Sequence, residues 1–339
     1  MGGQNSTLFG IRTDPVVSIG TAVLFSITGL IALFFSLFVL ILIISNWRSH
    51  CRSITNLLSC NTCVIVLVHV IAVSIHISAL VQQDPQEFAL QNPFFCKFRA
   101  YLYLASMTAL VNSYLLQSIS RYFIIIHYRR RDLINFRFNI QLILIGWSIS
   151  MIGPATYLFI PNALQYEIET GLCVLTSKVF PSSFSVLIIF FMGPTITIAL
   201  LYISIIHHIS INKENHFFKC QAERNMKVFK LIFIHMINLT LCGLPFTGLV
   251  IFNRFIRPPM PLYRISISLL SLSVPLSMVT LFLTNNDVRR FIFSKKTVHP
   301  TTDYVLRFQH SRTETMPKVH VRKTLRPTHV SDCDQQNQF

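Results

Sequence analysis

The chain has 339 residues, 52% of them hydrophobic and only 12% charged, with a formal net charge of +16. Soluble domains carry about 25% charged residues, so composition excludes water as the solvent for most of this chain. The basic excess reads as membrane topology and attraction to anionic lipid; nucleic acid is not an expected partner.

Charged residues are sparse enough to serve as punctuation. Seven intervals free of Asp, Glu, Lys and Arg are 21 residues or longer, and every other such interval is 11 residues or shorter. A helix needs about 20 apolar residues to cross the hydrocarbon and a barrel strand about 10, so the intervals predict seven membrane-spanning helices. Ahead of the first, Asn5-Ser6-Thr7 forms an N-glycosylation sequon with Asn5 as acceptor. Met1-Gly2-Gly3-Gln4-Asn5-Ser6 also fits a myristoylation pattern, which implies the opposite side of the membrane. The first fourteen residues lack a basic region followed by an apolar one, so the first interval is expected to act as signal anchor.

In chain order the intervals run Pro15 to Trp47, Ser53 to Gln83, Ala100 to Ser120, Phe138 to Tyr166, Val179 to Asn212, Leu231 to Asn253 and Ile265 to Asn286. When loops alternate sides, 22 of the 29 basic residues fall on one face, from Arg48 and Arg52 through Arg121 to Arg137, Lys213 to Lys230 and the tail. The other face holds only Arg12, Lys97, Arg99, Lys178, Arg254, Arg257 and Arg264. The positive-inside bias therefore puts the amino terminus outside, the carboxyl terminus in the cytoplasm, and the sequon on the correct side.

Of eight cysteines, only Cys96, before the third interval, and Cys173, between the fourth and fifth, fall on the outer face. That side is oxidising, so they are expected to form a disulfide pinning the loop onto the third helix; the alternative is two unrelated thiols. Cys51, Cys60, Cys63, Cys220, Cys242 and Cys333 show no metal-ligand spacing. No cofactor is expected.

Cys96 is followed 25 residues later by Ser120-Arg121-Tyr122 and a basic loop. Thr55-Asn56-Leu57-Leu58 opens the second interval, Trp147 is the single Trp of the fourth, and Pro194 precedes Tyr202 by eight residues in the fifth. Cys242-Gly243-Leu244-Pro245 stands in the sixth, and Asn286-Asp287-Val288-Arg289-Arg290 follows the seventh. Together these resemble the rhodopsin-like (class A) G-protein-coupled receptors, from about Val16 to Phe293. The resemblance implies an all-α seven-transmembrane bundle with a short amphipathic helix 8, in the plasma membrane. It also implies an extracellular ligand, a heterotrimeric G protein and no enzymatic activity. The divisions are expected at 1–15 (extracellular), 16–294 (receptor domain with helix 8) and 295–339 (disordered cytoplasmic tail).

Several of the family's switch residues are absent. Ser120 stands where an acid precedes the arginine, Val66 replaces the helix 2 aspartate, Gly243 replaces the toggle tryptophan, and Ser277-Met278-Val279-Thr280-Leu281 replaces Asn-Pro-x-x-Tyr. A cation in hydrocarbon needs a carboxylate, so the family's sodium site is expected to be lost. Missing restraint at Ser120 predicts either raised basal activity or a resting lock built from other groups.

Pro194, Pro245 and Pro275 each delete a backbone hydrogen bond within an interval, and with Cys242 and Gly243 they are the candidate hinge; static kinks are the plainer reading. Ser120, Arg121, Tyr122, Arg129, Arg130 and Tyr202 are the candidate G-protein-coupling residues. Spacing from Arg121 puts Tyr103 and Met107 on the inward face, opposite Phe246 and Val250, as a candidate ligand pocket. The family's amine receptors carry an aspartate where Tyr103 stands, so a biogenic amine is not expected. Retinal needs a lysine in the seventh interval, and none is there. Glu167, Glu169, Arg254, Arg257 and Arg264 form an outer rim that suits a peptide ligand or is merely a solvated loop face. His69, His76 and His235 lie inside intervals without a carboxylate, and read as neutral, satisfied imidazoles in preference to a proton path. Thr301, Thr302, Ser311, Thr313 and Thr315 in the tail are candidate phosphorylation sites that would recruit arrestin. Competing readings are a seven-helix transporter or channel, which usually needs charges at mid-membrane, and a weakly signalling receptor.

Overall fold

The computed structural model describes residues 15–45, 53–80, 92–127, 130, 133, 135–167, 172–176, 179–211, 216–253, 255–256 and 259–284. These belong to the compact unit Met1–Arg289. Asn5, Arg129, Glu169, Arg254, Arg257, the stretch 286–290 and the tail from 295 lie outside the described residues.

Seven helical spans follow one another: α1 Pro15–Ser45, α2 Ile54–Leu80, α3 Pro93–Ile126, α4 Phe136–Ala155, a composite α5, α6 His216–Phe252 and α7 Met260–Thr284. The composite α5 joins Phe180–Val186, a π-helical turn Leu187–Met192 and Gly193–Ile211. All seven are long and apolar enough to cross a membrane, and each overlaps one charge-free interval. Ile27, Phe34, Ile152, Leu200 and Ile203 are all more than half exposed except for a borderline Ile27 at 50%, an outward apolar surface that only lipid would cover. The chain is an all-α multi-pass membrane protein.

Four spans begin before their predicted intervals, α3 and α6 by the most. α3 starts at Pro93, a residue suited to a first helical turn, and includes Lys97, Arg99 and Arg121 near its ends. Long basic side chains there can reach the interface, so charge does not end the helix. α6 has 37 residues, about 55 Å at 1.5 Å per residue, well beyond the ~30 Å hydrocarbon layer. The segment from Lys219 to Lys230, expected as loop, continues that helix. Pro245 and Pro275 lie inside helices as expected, and so does Pro154, near the end of α4. Pro194 instead follows the π turn, whose wider winding accommodates the missing N–H and the ring.

α3 is the hub, packing on α2, α4 and α5, while α1 bridges α2 and α7, and α6 lies mainly on α7. The main core joins Ala32, Val66, Leu110, Tyr114, Ile198, Tyr202 and Met278. Polar bonds cross it, as hydrocarbon demands: Gln117 Nε2 to Thr62 Oγ1 (2.9 Å), Asn112 Nδ2 to Ser150 Oγ (2.8 Å) and Trp147 Nε1 to Asn61 Oδ1 (2.9 Å). Gly153 lets α4 approach α5, because a Cβ there would stand 2.6 Å from the Phe190 ring.

Between α4 and α5 the chain forms an antiparallel hairpin, β1 Leu164–Glu167 with β2 Leu172–Leu175, in the register Leu164 opposite Leu175 and Glu167 opposite Leu172.

Candidate functional site

The two ends of α3 organise the site. At one end Cys96 forms the disulfide with Cys173, so the hairpin is stapled to α3. The guanidinium of Arg99, one turn further on, lies 4.8 Å over the Phe95 ring with Nη2 3.9 Å from Cys173 Sγ. Arg99, Glu167 and Arg264 are all buried, so Glu167 and Arg264 do not form the solvated rim considered from sequence. A charge withdrawn from water needs partners or a ligand, and Arg264 Nε has no hydrogen-bond partner among the described residues.

Strand geometry then divides β2 between two clusters, since alternate residues face opposite sides. Cys173 packs with Cys96, Ala100, Tyr157 and Phe190, with Leu175 against the same group. Leu172 and Val174 instead pack with Phe25 of α1, Val73 of α2 and Ile267 of α7, and Tyr103, Ile77 and Phe246 lie against that cluster. The predicted pocket residues Tyr103 and Phe246 thus lie against one apolar cluster, which includes the hairpin's Leu172 and Val174. Met107 and Val250 are buried outside that cluster.

Below it, His69 Nδ1 meets Ser106 Oγ at 2.9 Å and His76 Nε2 meets the Arg99 carbonyl at 3.2 Å, as expected of satisfied imidazoles. The Tyr103 ring lies between them, with centroids 5.6 and 5.4 Å away. His235 departs from the expectation. It stacks on Tyr114 at 4.9 Å, and neither ring nitrogen has a partner among the described residues.

At the hinge level, a Cβ on Gly243 would meet only Leu270 Cδ1, at 3.9 Å, within 4 Å. Cys242 Sγ lies 3.5 Å from Asn238 Oδ1. Asn238 Nδ2 donates to the Ser273 carbonyl at 2.8 Å and to Ser277 Oγ at 3.0 Å, tying α6 to α7. Val66 is fully buried in the apolar core, with no carboxylate at that position.

At the opposite end of α3, Arg121 Nη2 donates to Thr55 Oγ1 of α2 at 2.5 Å. Ser120 is buried, Tyr202 is buried close to Arg121 and Ser118, and Tyr122 packs against the main core. Arg130 is exposed. Thr55 was not anticipated as the partner of Arg121. The only signal for it is a hydroxyl at the first turn of α2, on the same side of the membrane as the arginine.

The sequence matches the family described as 7 transmembrane receptor (rhodopsin family) over residues 36–284. The chain belongs to that family. The receptor also shares its fold with the crystal structure of squid rhodopsin, at a TM-score of 0.68 and 15% identity, covering 83% of this chain and 85% of that one. No curated protein matches it in sequence. Membership makes the receptor a signalling protein with G-protein-coupled receptor activity in general, and not an enzyme.

Proposed function

We propose that the receptor sits in the plasma membrane with its amino terminus outside, and passes the binding of an extracellular peptide to a heterotrimeric G protein. The observation that carries this reading is Arg121, at the end of α3 remote from the disulfide, bonded across to the Thr55 hydroxyl of α2. A receptor makes no covalent bonds; it converts a ligand's preference for one helix arrangement into a population shift. Arg121, with Ser120, Tyr122, Tyr202 and the basic Arg129 and Arg130, forms the docking surface, towards which a G protein is steered electrostatically.

Pro194, Pro245 and Pro275, with Cys242 and Gly243, supply the hinges. Tyr103, Met107, Phe246 and Val250 line the ligand side, where Tyr103 leaves no carboxylate for an amine. The buried charges Glu167 and Arg264 at the disulfide end favour a peptide with polar groups. Asn5 carries the glycan, and the receptor domain spans 16–294. Phosphorylation in the 295–339 tail recruits arrestin. The test is a peptide library screened on cells expressing the receptor with a panel of G-protein activation reporters. A peptide that activates the wild type and not Arg121→Ala supports the reading. Basal and stimulated signals indistinguishable between the two across the panel refute it.

A further inference from the structure

We propose that the Arg264 guanidinium, at the disulfide end of α7, is a binding site for a carboxylate on the ligand, whose apolar neighbour rests on the cluster around Ile267. The inference rests on the peptide reading above, and adds to it the chemical identity of the group that the peptide presents.

Burial along α7 follows the helical period. Leu262, Ile265, Leu269, Leu272 and Leu276 are exposed and form the stripe that only lipid would cover. Arg264, Ile267, Ser271 and Val274 follow a second stripe at i, i+3, i+7 and i+10, and all four are buried. A guanidinium aimed at lipid or reaching along the helix to the membrane surface would be exposed, whereas Arg264 is only 9% exposed. Its side chain therefore turns into the protein. One turn deeper, Ile267 packs with Phe25, Val73, Leu172 and Val174, the cluster against which Tyr103 and Phe246 lie. Arg264 thus stands at the lip of the apolar surface on the ligand side.

The chemistry at this lip selects an anion. Burying a guanidinium is costly unless its charge is matched and its donors are bonded. Nε has no hydrogen-bond partner among the described residues, so not even Glu167, the one buried acid among them, answers it. Nε–H and the adjacent Nη–H make one edge of the planar fork, and such an edge holds a carboxylate through two parallel bonds. No Asp or Glu occurs between Glu223 and Asp287, so neither α7 nor the connection ahead of it supplies the acid, and Arg254 and Arg257 add positive charge there. α7 begins at Met260, so an anion at Arg264 also approaches the positive end of the helix dipole. A carboxylate beside an aliphatic side chain meets both halves of this surface. An amide in its place offers one oxygen and no charge.

Acetyl-leucine and acetyl-leucine amide are probes of one shape, and only the first carries a carboxylate. Each is titrated into the purified receptor at constant ionic strength, and the melting temperature is followed in wild type, Arg264→Gln and Arg264→Lys. The expected result on wild type is a rise on the order of 2 °C with acetyl-leucine at about tenfold excess over its dissociation constant. The amide gives no rise and Arg264→Gln abolishes it. Arg264→Lys, which keeps the charge without the fork, weakens it, and carries the test if Arg264→Gln does not fold. No rise on wild type, an equal rise with the amide, or a rise that survives substitution of Arg264 in full overturns the proposal.

Signalling separates the two readings and the source of the carboxylate. The peptide library is screened as free acids and as C-terminal amides, each with and without Asp and Glu. Activation confined to free acids assigns the C-terminal carboxylate, and activation by amides that contain Asp or Glu assigns a side chain. In either case potency falls at least about thirtyfold in Arg264→Gln, the smallest loss expected when one partner of a buried charge pair is removed. Peptides that activate without regard to Arg264 overturn the carboxylate site and leave the peptide reading standing. An acetyl-leucine shift that needs Arg264, in a receptor that no peptide activates, sinks the peptide reading and keeps the site.

Discussion

Thr55→Val removes the hydroxyl that holds Arg121 while nearly preserving the side chain's shape. The bond from Arg121 Nη2 to Thr55 Oγ1 links α3 to α2, and hydrogen bonds to charged groups contribute about 1.5–3 kcal/mol. Thr55 is only partly buried, which places this bond at the low end, about 1.5 kcal/mol. If the bond exists only in the resting arrangement, losing it multiplies the population with Arg121 released by about ten. The assay is ligand-free G-protein activation per receptor at the cell surface. Thr55→Val should raise it by about that factor, and Thr55→Ser, which keeps the hydroxyl, should not. Equal basal activation in Thr55→Val and wild type would mean that this bond does not hold the resting state.

Ser120→Asp should act in the opposite sense, adding an acid beside Arg121 and lowering basal activation in the same assay. Gly153→Ala should lower the melting temperature of the purified receptor, because its Cβ would stand 2.6 Å from the Phe190 ring. Overpacking costs about 1–3 kcal/mol against a helix-propensity gain of up to about 1 kcal/mol. Phe190→Leu in the same chain should restore much of the loss. Replacing sodium by choline at equal ionic strength should leave the melting temperature unchanged, since Val66 presents no carboxylate to a cation. A sodium-dependent shift would show that a cation site persists elsewhere.

The spans and the disulfide were legible because hydrocarbon and compartment impose rules on single residues. A charge in the membrane centre is costly, so charge-free runs mark spans; only two cysteines fall on the face expected to be oxidising, and Cys96 and Cys173 are bonded. The ends of α3 and α6 were not legible, because the same rule is silent once a helix leaves the hydrocarbon. Arg121 could be singled out by its position relative to Cys96, but its bond to Thr55 could not. A threonine in a helix often bonds its own backbone, as Thr62 does to the Leu58 carbonyl at 3.1 Å, and only the packed fold shows which hydroxyl turns outward to a neighbour. Leu172 and Val174 escaped notice for a related reason. Their side of the strand is decided by register and by the bond at Cys173, and neither is visible in a list of residue types.

The polar bonds between spans fall into two groups. Asn61–Trp147, Thr62–Gln117 and Asn112–Ser150 rivet α2, α3 and α4 into a stator, while Asn238 clamps α6 to α7 as a second rigid piece. Where these pieces face each other, Tyr114 and His235 meet as stacked rings, and neither imidazole nitrogen has a hydrogen-bond partner among the described residues. Any turn of α6 and α7 against α3 would be felt first at that stack, while α1, packed on both α2 and α7, ties the two pieces together.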